Sequence, residues 1–346
     1  MDRVWFGTDA AARAARAALM PAERVFASVS GLRTLFYDAG WVKGSTASIP
    51  VVSVGNLTVG GTGKTPVSAW IARWLRDHGG HPAIVMRGYG DDEPAVHRML
   101  NADVEVIVAA DRYRGVEEAA RRGADIAVLD DGFQHRQLNR DVDIVLVSAD
   151  RWPEEVHLLP AGPWREPLSA VRRADMVIVT RKAASDADVE RAHERLARVA
   201  PRVPRMSVHL EPDELIQVDG PGREPVAALH GERIVAAAAI GDPAAFVRQL
   251  AAHASGITPV VYRDHHGFKP ADVARIVAAA HGSARVVCTL KDAVKLRDLW
   301  PRGGPALWYV SQRVSVERGV GGMEQLLVSA LRRRDARNSP ANSGPV

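Results

Sequence analysis

Apolar residues in the first part of the chain gather in short, nearly unbroken runs: Val51 to Val54, His81 to Met86, Val104 to Ala109, Ile126 to Leu129, Asp143 to Ser148 and Met176 to Thr180. Between them, apolar positions recur at helical spacing. Val67, Ile71, Trp74 and Leu75 mark one helix, Ala95 to Leu100 opens another, and two more run from Asp111 to about Arg122 and from Asp186 to Val199. Continuous apolar runs are strands buried on both faces, and their alternation with helices predicts an α/β fold with a doubly wound, mostly parallel sheet. Ligands in such sheets lie beyond the C-terminal strand ends. The polar clusters of this chain follow its strands directly.

The pattern changes at both ends. Before the first strand, Val25, Phe26, Val29, Leu32, Leu35 and Phe36 recur at roughly helical spacing, flanked by Arg33 and Lys43. This predicts an amphipathic helix. Its apolar face either packs on its own domain or lies in a membrane interface with its arginines toward lipid phosphates. From Pro201 to Glu224 the text is Pro-rich and aperiodic, which predicts a linker. A smaller α/β unit follows, with strands at Arg233 to Ile240, Pro259 to Tyr262 and Val286 to Thr289. A last helix is expected near Val316 to Arg333, then a polar tail.

Composition changes little in this picture. The 346 residues suffice for two domains, the net charge of +4 is mild, and the single Cys288 excludes disulfide and zinc–cysteine frameworks and fits a reducing compartment. With 5% aromatic residues and no nucleic-acid-binding signature, nucleic acid is not an expected partner.

The most informative stretch ends the first strand: Asn56-Leu57-Thr58-Val59-Gly60-Gly61-Thr62-Gly63-Lys64-Thr65-Pro66. Strand, glycine loop and helix is the arrangement that grips nucleoside phosphates, with backbone N–H groups and a helix N-terminus aimed at the oxygens. Lys64 would reach the outer phosphates and the Thr65 hydroxyl would hold Mg²⁺. Thr58 stands where the usual pattern has its first glycine. Asp130-Asp131 closes a buried strand, where such enzymes place a Mg²⁺ carboxylate; alternatively Arg136 and Arg140 neutralise the pair. Asp91, Asp92 and Glu93 could supply a carboxylate that accepts the proton of an attacking hydroxyl, or form a solvated acidic turn. Asp264-His265 is the other proton-transfer candidate. Arg87, Arg112, Arg114, Arg165 and Lys291 could neutralise phosphates. A guanine-specificity motif is excluded, because in Thr289-Leu290-Lys291-Asp292 the lysine is one place late. On the residues alone, a P-loop kinase or synthetase of a soluble substrate and a nucleotide-driven switch ATPase stay open.

The ordered set resembles the tetraacyldisaccharide 4'-kinase family of lipid A biosynthesis. It comprises the loop above, Arg87-Gly88-Tyr89-Gly90, Asp92-Glu93-Pro94 and Leu129-Asp130-Asp131-Gly132-Phe133-Gln134-His135-Arg136. Leu159-Pro160-Ala161-Gly162-Pro163-Trp164-Arg165-Glu166-Pro167, Asp264-His265-His266 and Leu290-Lys291-Asp292-Ala293-Val294-Lys295 complete it. Thr58 belongs to that family's loop. The resemblance implies ATP-dependent, Mg²⁺-assisted phosphorylation of the 4'-hydroxyl of a tetraacyldisaccharide 1-phosphate to lipid IVA. It implies a peripheral enzyme on the cytoplasmic face of the inner membrane, docked on an anionic surface through its N-terminal helix. It further implies Asp92, His265 and Lys64 as catalytic residues. ATP would be bound by Thr58, Val59, Gly60, Gly61, Thr62, Gly63, Lys64 and Thr65, and metal by Thr65, Asp131 and Glu166, with Gln134 and Arg165 near the phosphates. Asp91 competes with Asp92, but only Asp92 precedes Glu-Pro. The implied organisation is a membrane-associating segment at 1–48, a P-loop kinase core at 49–205, a linker at 206–228, a smaller α/β domain at 229–333 and a disordered tail at 334–346.

Overall fold

A computed structural model describes residues 2–88, 92–152, 155–282 and 285–338. Helices α1 (Asp2–Phe6) and α2 (Ala10–Asp38) lead into β1 (Val51–Asn56), α3 (Lys64–Asp77), β2 (Pro82–Met86), α4 (Asp92–Leu100), β3 (Glu105–Val108) and α5 (Arg112–Arg121). Strands β4 (Ile126–Asp130), β5 (Val142–Ser148) and β6 (Met176–Arg181) precede α6 (Asp186–Val199), β7 (Arg205–Gln217), β8 (Arg223–Pro225), β9 (Arg233–Ala238) and α7 (Pro243–Ala251). The chain ends with β10 (Gly256–Val261), α8 (Pro270–Ala279), β11 (Arg285–Thr289), α9 (Leu290–Leu296), β12 (Leu307–Arg318) and α10 (Val320–Asn338).

Strand alternation places the core. Val52 and Val54 face one side of the sheet, against Val67, Ile71 and Leu75 of α3 and Met323 and Leu327 of α10. Val51 faces the other side, with Val85, Leu129 and Val116. Strands β1, β2, β4 and β5 are thus buried on both faces, which is why their sequences read as unbroken apolar runs. β1 pairs in parallel with β4 and β5, so the loop after β1 and the carboxylates ending β4 emerge side by side.

Two expectations are corrected. The segment expected as a linker, 206–228, is mostly strand: β7 pairs in parallel with β6 and antiparallel with β12, and β8 pairs with β7. The described strands therefore join in one sheet, ordered β10-β9-β11-β12-β7-β6-β5-β1-β4-β2-β3, rather than in two units separated by loop. β7 is hard to read because it buries Met206, Val208, Leu210 and Leu215 but leaves its middle half-exposed. Its Pro212 has no N–H to donate and lies beside the break in register between Val310 and Gln312. At the C-terminus, β12 occupies residues up to Arg318, so the last helix begins at Val320, later than expected, and continues to Asn338. Residues 334–338 of the expected tail are thus helical, and 339–346 lie outside the described residues.

Helix α2 is a single helix through Pro21, capped by the Asp9 side chain, which accepts from the Ala12 N–H at 2.8 Å. Phe26 and Ala27 pack on the core, whereas Val25, Val29, Leu32 and Leu35 are all more than half exposed. No helix of the described residues is long and apolar enough to cross a membrane.

Candidate active site

The loop after β1 takes its shape from three glycines with positive φ: Gly60 at 76°, Gly61 at 60° and Gly63 at 82°. These left-handed turns coil Gly60 to Gly63 into α3, whose first residue is Lys64. Thr58 needs no such freedom, because it is extended and bridges Trp164, while the Val59 N–H donates to the Pro163 carbonyl at 2.8 Å. That is why threonine serves where a glycine is customary. The loop is propped from below. Asn56 Nδ2 donates to Thr62 Oγ1 at 2.7 Å, Thr180 Oγ1 to the Thr62 carbonyl at 2.9 Å, and Lys182 Nζ to the Gly61 carbonyl at 2.7 Å. Lys64 Nζ donates to Asn56 Oδ1 at 3.2 Å.

The two carboxylates ending β4 diverge. Asp130 is buried; its Oδ2 accepts from His97 Nε2 at 2.7 Å and lies 3.5 Å from Thr65 Oγ1, and Ser68 Oγ is 3.4 Å from Oδ1. Asp131 leaves the strand with φ of 60° and receives the Arg165 fork at 2.7 and 3.0 Å, with Lys64 Nζ at 3.7 Å. Burial alone would raise the Asp131 pKa, but Lys64 and Arg165 outweigh it and hold this carboxyl well below the usual carboxylate range. The expected neutralisers lie elsewhere: Arg136 pairs with Asp38 and Arg140 with Asp143.

Glu166 is buried and does not line the cavity. It accepts from Arg173 at 2.8 Å and from Gln134 at 3.0 Å, and Gln134 also donates to the Asn56 carbonyl at 2.9 Å. The carboxylate beside the Thr65 hydroxyl is Asp130, not Asp131 or Glu166. Arg87, Arg112, Arg165 and Lys291 line the cavity, whereas Arg114 is solvent-exposed beside Asp111.

The opposite wall comes from distant parts of the chain. Asp92 opens α4, is buried, and has its Oδ2 4.0 Å from His265 Nδ1 and 3.4 Å from Lys295 Nζ. His265 sits in the loop after β10 with φ of 57°, half-exposed, between Asp92 and Asp264, whose Oδ1 lies 4.0 Å from Nε2. The adjacent His266 is committed to Asp272 at 3.0 Å and stacks on Tyr262. The Lys291 ammonium pairs with Glu93 at 2.9 Å; burial opposes its charge, but Glu93 raises its pKa overall. Asp91 lies outside the described residues.

Between the walls is a cavity of about 470 Å³, lined by the glycine loop, Lys64, Thr65, Asp130, Asp131, Arg165, Glu93, Asp264, His265 and Lys291. Gly241 presses so closely on the loop that a Cβ there would lie 3.1 Å from the Gly61 nitrogen. The arrangement can hold a polyphosphate on one side and remove a proton from a hydroxyl on the other. Two contributors were not singled out from sequence, His97 and Lys182. Lys182 directly follows a strand end, the one signal that could have marked it. Burial lowers its pKa overall, against the opposing pull of Asp242 and Asp150.

Comparison with known proteins agrees with this geometry. The family described as LpxK, tetraacyldisaccharide-1-P 4'-kinase, matches residues 15–103 and 91–332. The tetraacyldisaccharide 4'-kinase of Anaeromyxobacter dehalogenans is 37% identical over 343 residues, covering 90% of each chain. That of Xanthomonas campestris pv. campestris (strain 8004) is 34% identical over 292 residues, covering 79% of this chain and 82% of its own. A crystal structure of LpxK from Aquifex aeolicus in complex with ATP superposes with a TM-score of 0.71 at 27% identity, covering 91% of this chain and 99% of that one. The match runs through both walls of the cavity and through the strands that join them, so the chain belongs to the tetraacyldisaccharide 4'-kinase family.

Proposed function

We propose that this chain transfers the γ-phosphoryl group of ATP to the 4'-hydroxyl of a tetraacyldisaccharide 1-phosphate, giving lipid IVA. The observation that carries the reading is one cavity lined by the Lys64 loop and by His265, with the buried Asp92 carboxylate 4.0 Å from the His265 ring, within this family. Family membership sets aside the soluble-substrate kinase and the switch ATPase.

The division of labour follows from the groups present. The backbone N–H groups of Gly60 to Thr65 and the start of α3 bind phosphate oxygens, and Lys64 and Arg165 supply positive charge. Phosphoryl transfer demands alignment and charge neutralisation more than covalent chemistry. Asp92 takes the proton of the acceptor hydroxyl, with His265 and Lys295 orienting its carboxylate. Thr65 Oγ1 and Asp130 form a hard-oxygen pair that fits Mg²⁺, which when bound would neutralise charge on the phosphates. Asp131 and Glu166 act one step away, by fixing Arg165 and Gln134.

The exposed apolar stripe of α2, continued by Trp41, supports docking on a membrane surface, and the surface proposed is the anionic cytoplasmic face of the inner membrane. Val25→Asp with Leu32→Asp should abolish cosedimentation with phosphatidylglycerol vesicles while preserving the melting temperature. Unchanged cosedimentation would reject that docking face. For the reaction itself, purified protein, labelled ATP and tetraacyldisaccharide 1-phosphate in detergent micelles should yield labelled lipid. Its absence would overturn the reading.

A further inference from the structure

Helix α4 carries Asp92 at its first position, and about one and a half turns further on it presents His97 to the nucleotide side. His97 is fully buried. Its Nε2 donates to Asp130 Oδ2 at 2.7 Å, the shortest contact that carboxylate makes, and the same oxygen lies 3.5 Å from Thr65 Oγ1. The other ring nitrogen, Nδ1, is buried without a hydrogen-bond partner among the described residues. A buried polar atom left unpaired destabilises the fold, so packing alone is a poor reason for histidine here; an apolar side chain would fill the space at less cost. What histidine supplies is one directed N–H aimed at Asp130.

Resting on the functional reading above, we propose that His97 is a positioning residue that locks the Asp130 carboxylate toward Thr65 and ties it to the helix bearing Asp92. Without that bond, Asp130 keeps only the longer approaches of Thr65 and Ser68 and is free to rotate away from the site where Mg²⁺ would sit. The bond also links the two walls. A helix that shifts relative to Asp130 carries Asp92 with it, so nucleotide binding and acceptor alignment share one contact.

The test compares His97→Leu, which keeps bulk without a donor, with His97→Gln, whose amide can place an N–H near Nε2. Full-length variants are measured beside the parent by thermal melting, by titration of a fluorescent ATP analogue with and without Mg²⁺, and by labelled-lipid formation. In His97→Leu, kcat should fall about 10- to 100-fold with KM for the lipid unchanged. The gain in nucleotide affinity that Mg²⁺ confers on the parent should disappear. His97→Gln should recover most of both. Should His97→Leu not fold, the contrast is read between His97→Gln and the shorter His97→Asn. Parental kcat and Mg²⁺ response in His97→Leu would overturn the proposal. So would equal impairment of donor and non-donor variants with an unmoved Mg²⁺ response. A parent that neither binds nucleotide nor labels lipid would remove the functional reading itself, which distinguishes the two failures.

Discussion

The two walls of the cavity are built differently. The nucleotide wall comes from β1, the loop into α3, and the end of β4, neighbours in a parallel sheet. It is dense with hydrogen bonds: Asn56, Thr62, Lys64, Asp131 and Arg165 all hold one another. The acceptor wall draws on α4 and, far later in the chain, on the loop after β10 and on α9. Its central contacts are looser, 4.0 Å from His265 and 3.4 Å from Lys295 to a carboxylate oxygen with no hydrogen-bond partner among the described residues. A preformed donor side and an unsaturated acceptor side suit the proposed roles, in which Asp92 as base would keep a lone pair for the incoming hydroxyl.

That contrast can be broken experimentally. Lys64→Ala should have the largest effect, lowering kcat on the order of 10³-fold or more in the labelled-ATP assay; near-parental turnover would dissolve the nucleotide wall as drawn. Asp92→Ala should reduce kcat about 10²- to 10⁴-fold yet leave nucleotide affinity intact by fluorescence titration. If affinity fell in parallel, the walls would not be separable. His265→Ala, which removes a neighbour of the proposed base Asp92, should lose about 10- to 100-fold, again without loss of nucleotide. Lys182→Met should act on the loop rather than the base. Leaving the Gly61 carbonyl unpaired should destabilise by about 1–3 kcal/mol in urea unfolding and weaken nucleotide binding before it alters kcat.

The smallest effect concerns pH. Asp131 has a folded pKa below its unfolded value, so its contribution to stability is fully present above the ordinary carboxylate pKa and is lost as pH falls through the lower, folded one. Asparagine tolerates positive φ, so Asp131→Asn removes charge with little added strain. The stability gap between parent and variant should be full at pH 7 and narrow only below the ordinary carboxylate range. A gap that stays constant as pH falls below that range would show that the charge is not what Asp131 contributes.

Legibility tracked the reach of the interactions. The glycine loop could be read because positive φ and a helix start leave local marks. Strands β1, β2, β4, β5 and β6 could be read because burial on both faces makes each an apolar run. β7 and β12 could not, since their pairing is antiparallel, partly exposed and interrupted at Pro212. The division of Asp130 from Asp131 was equally hidden. Two adjacent carboxylates look alike in sequence, and only the partners that converge on each, His97 and Arg165, tell them apart.

The amino-acid order by itself determined the alternating α/β sheet, the phosphate loop, the amphipathic lead helix and the identity of most cavity residues, because each depends on spacing within a few turns or one strand. The tertiary structure alone decided that one sheet runs through both α/β units, that Asp92 meets His265 and Lys295, and which carboxylate stands beside Thr65. Those outcomes depend on which distant segments touch, and a chain's local periodicity carries no record of that.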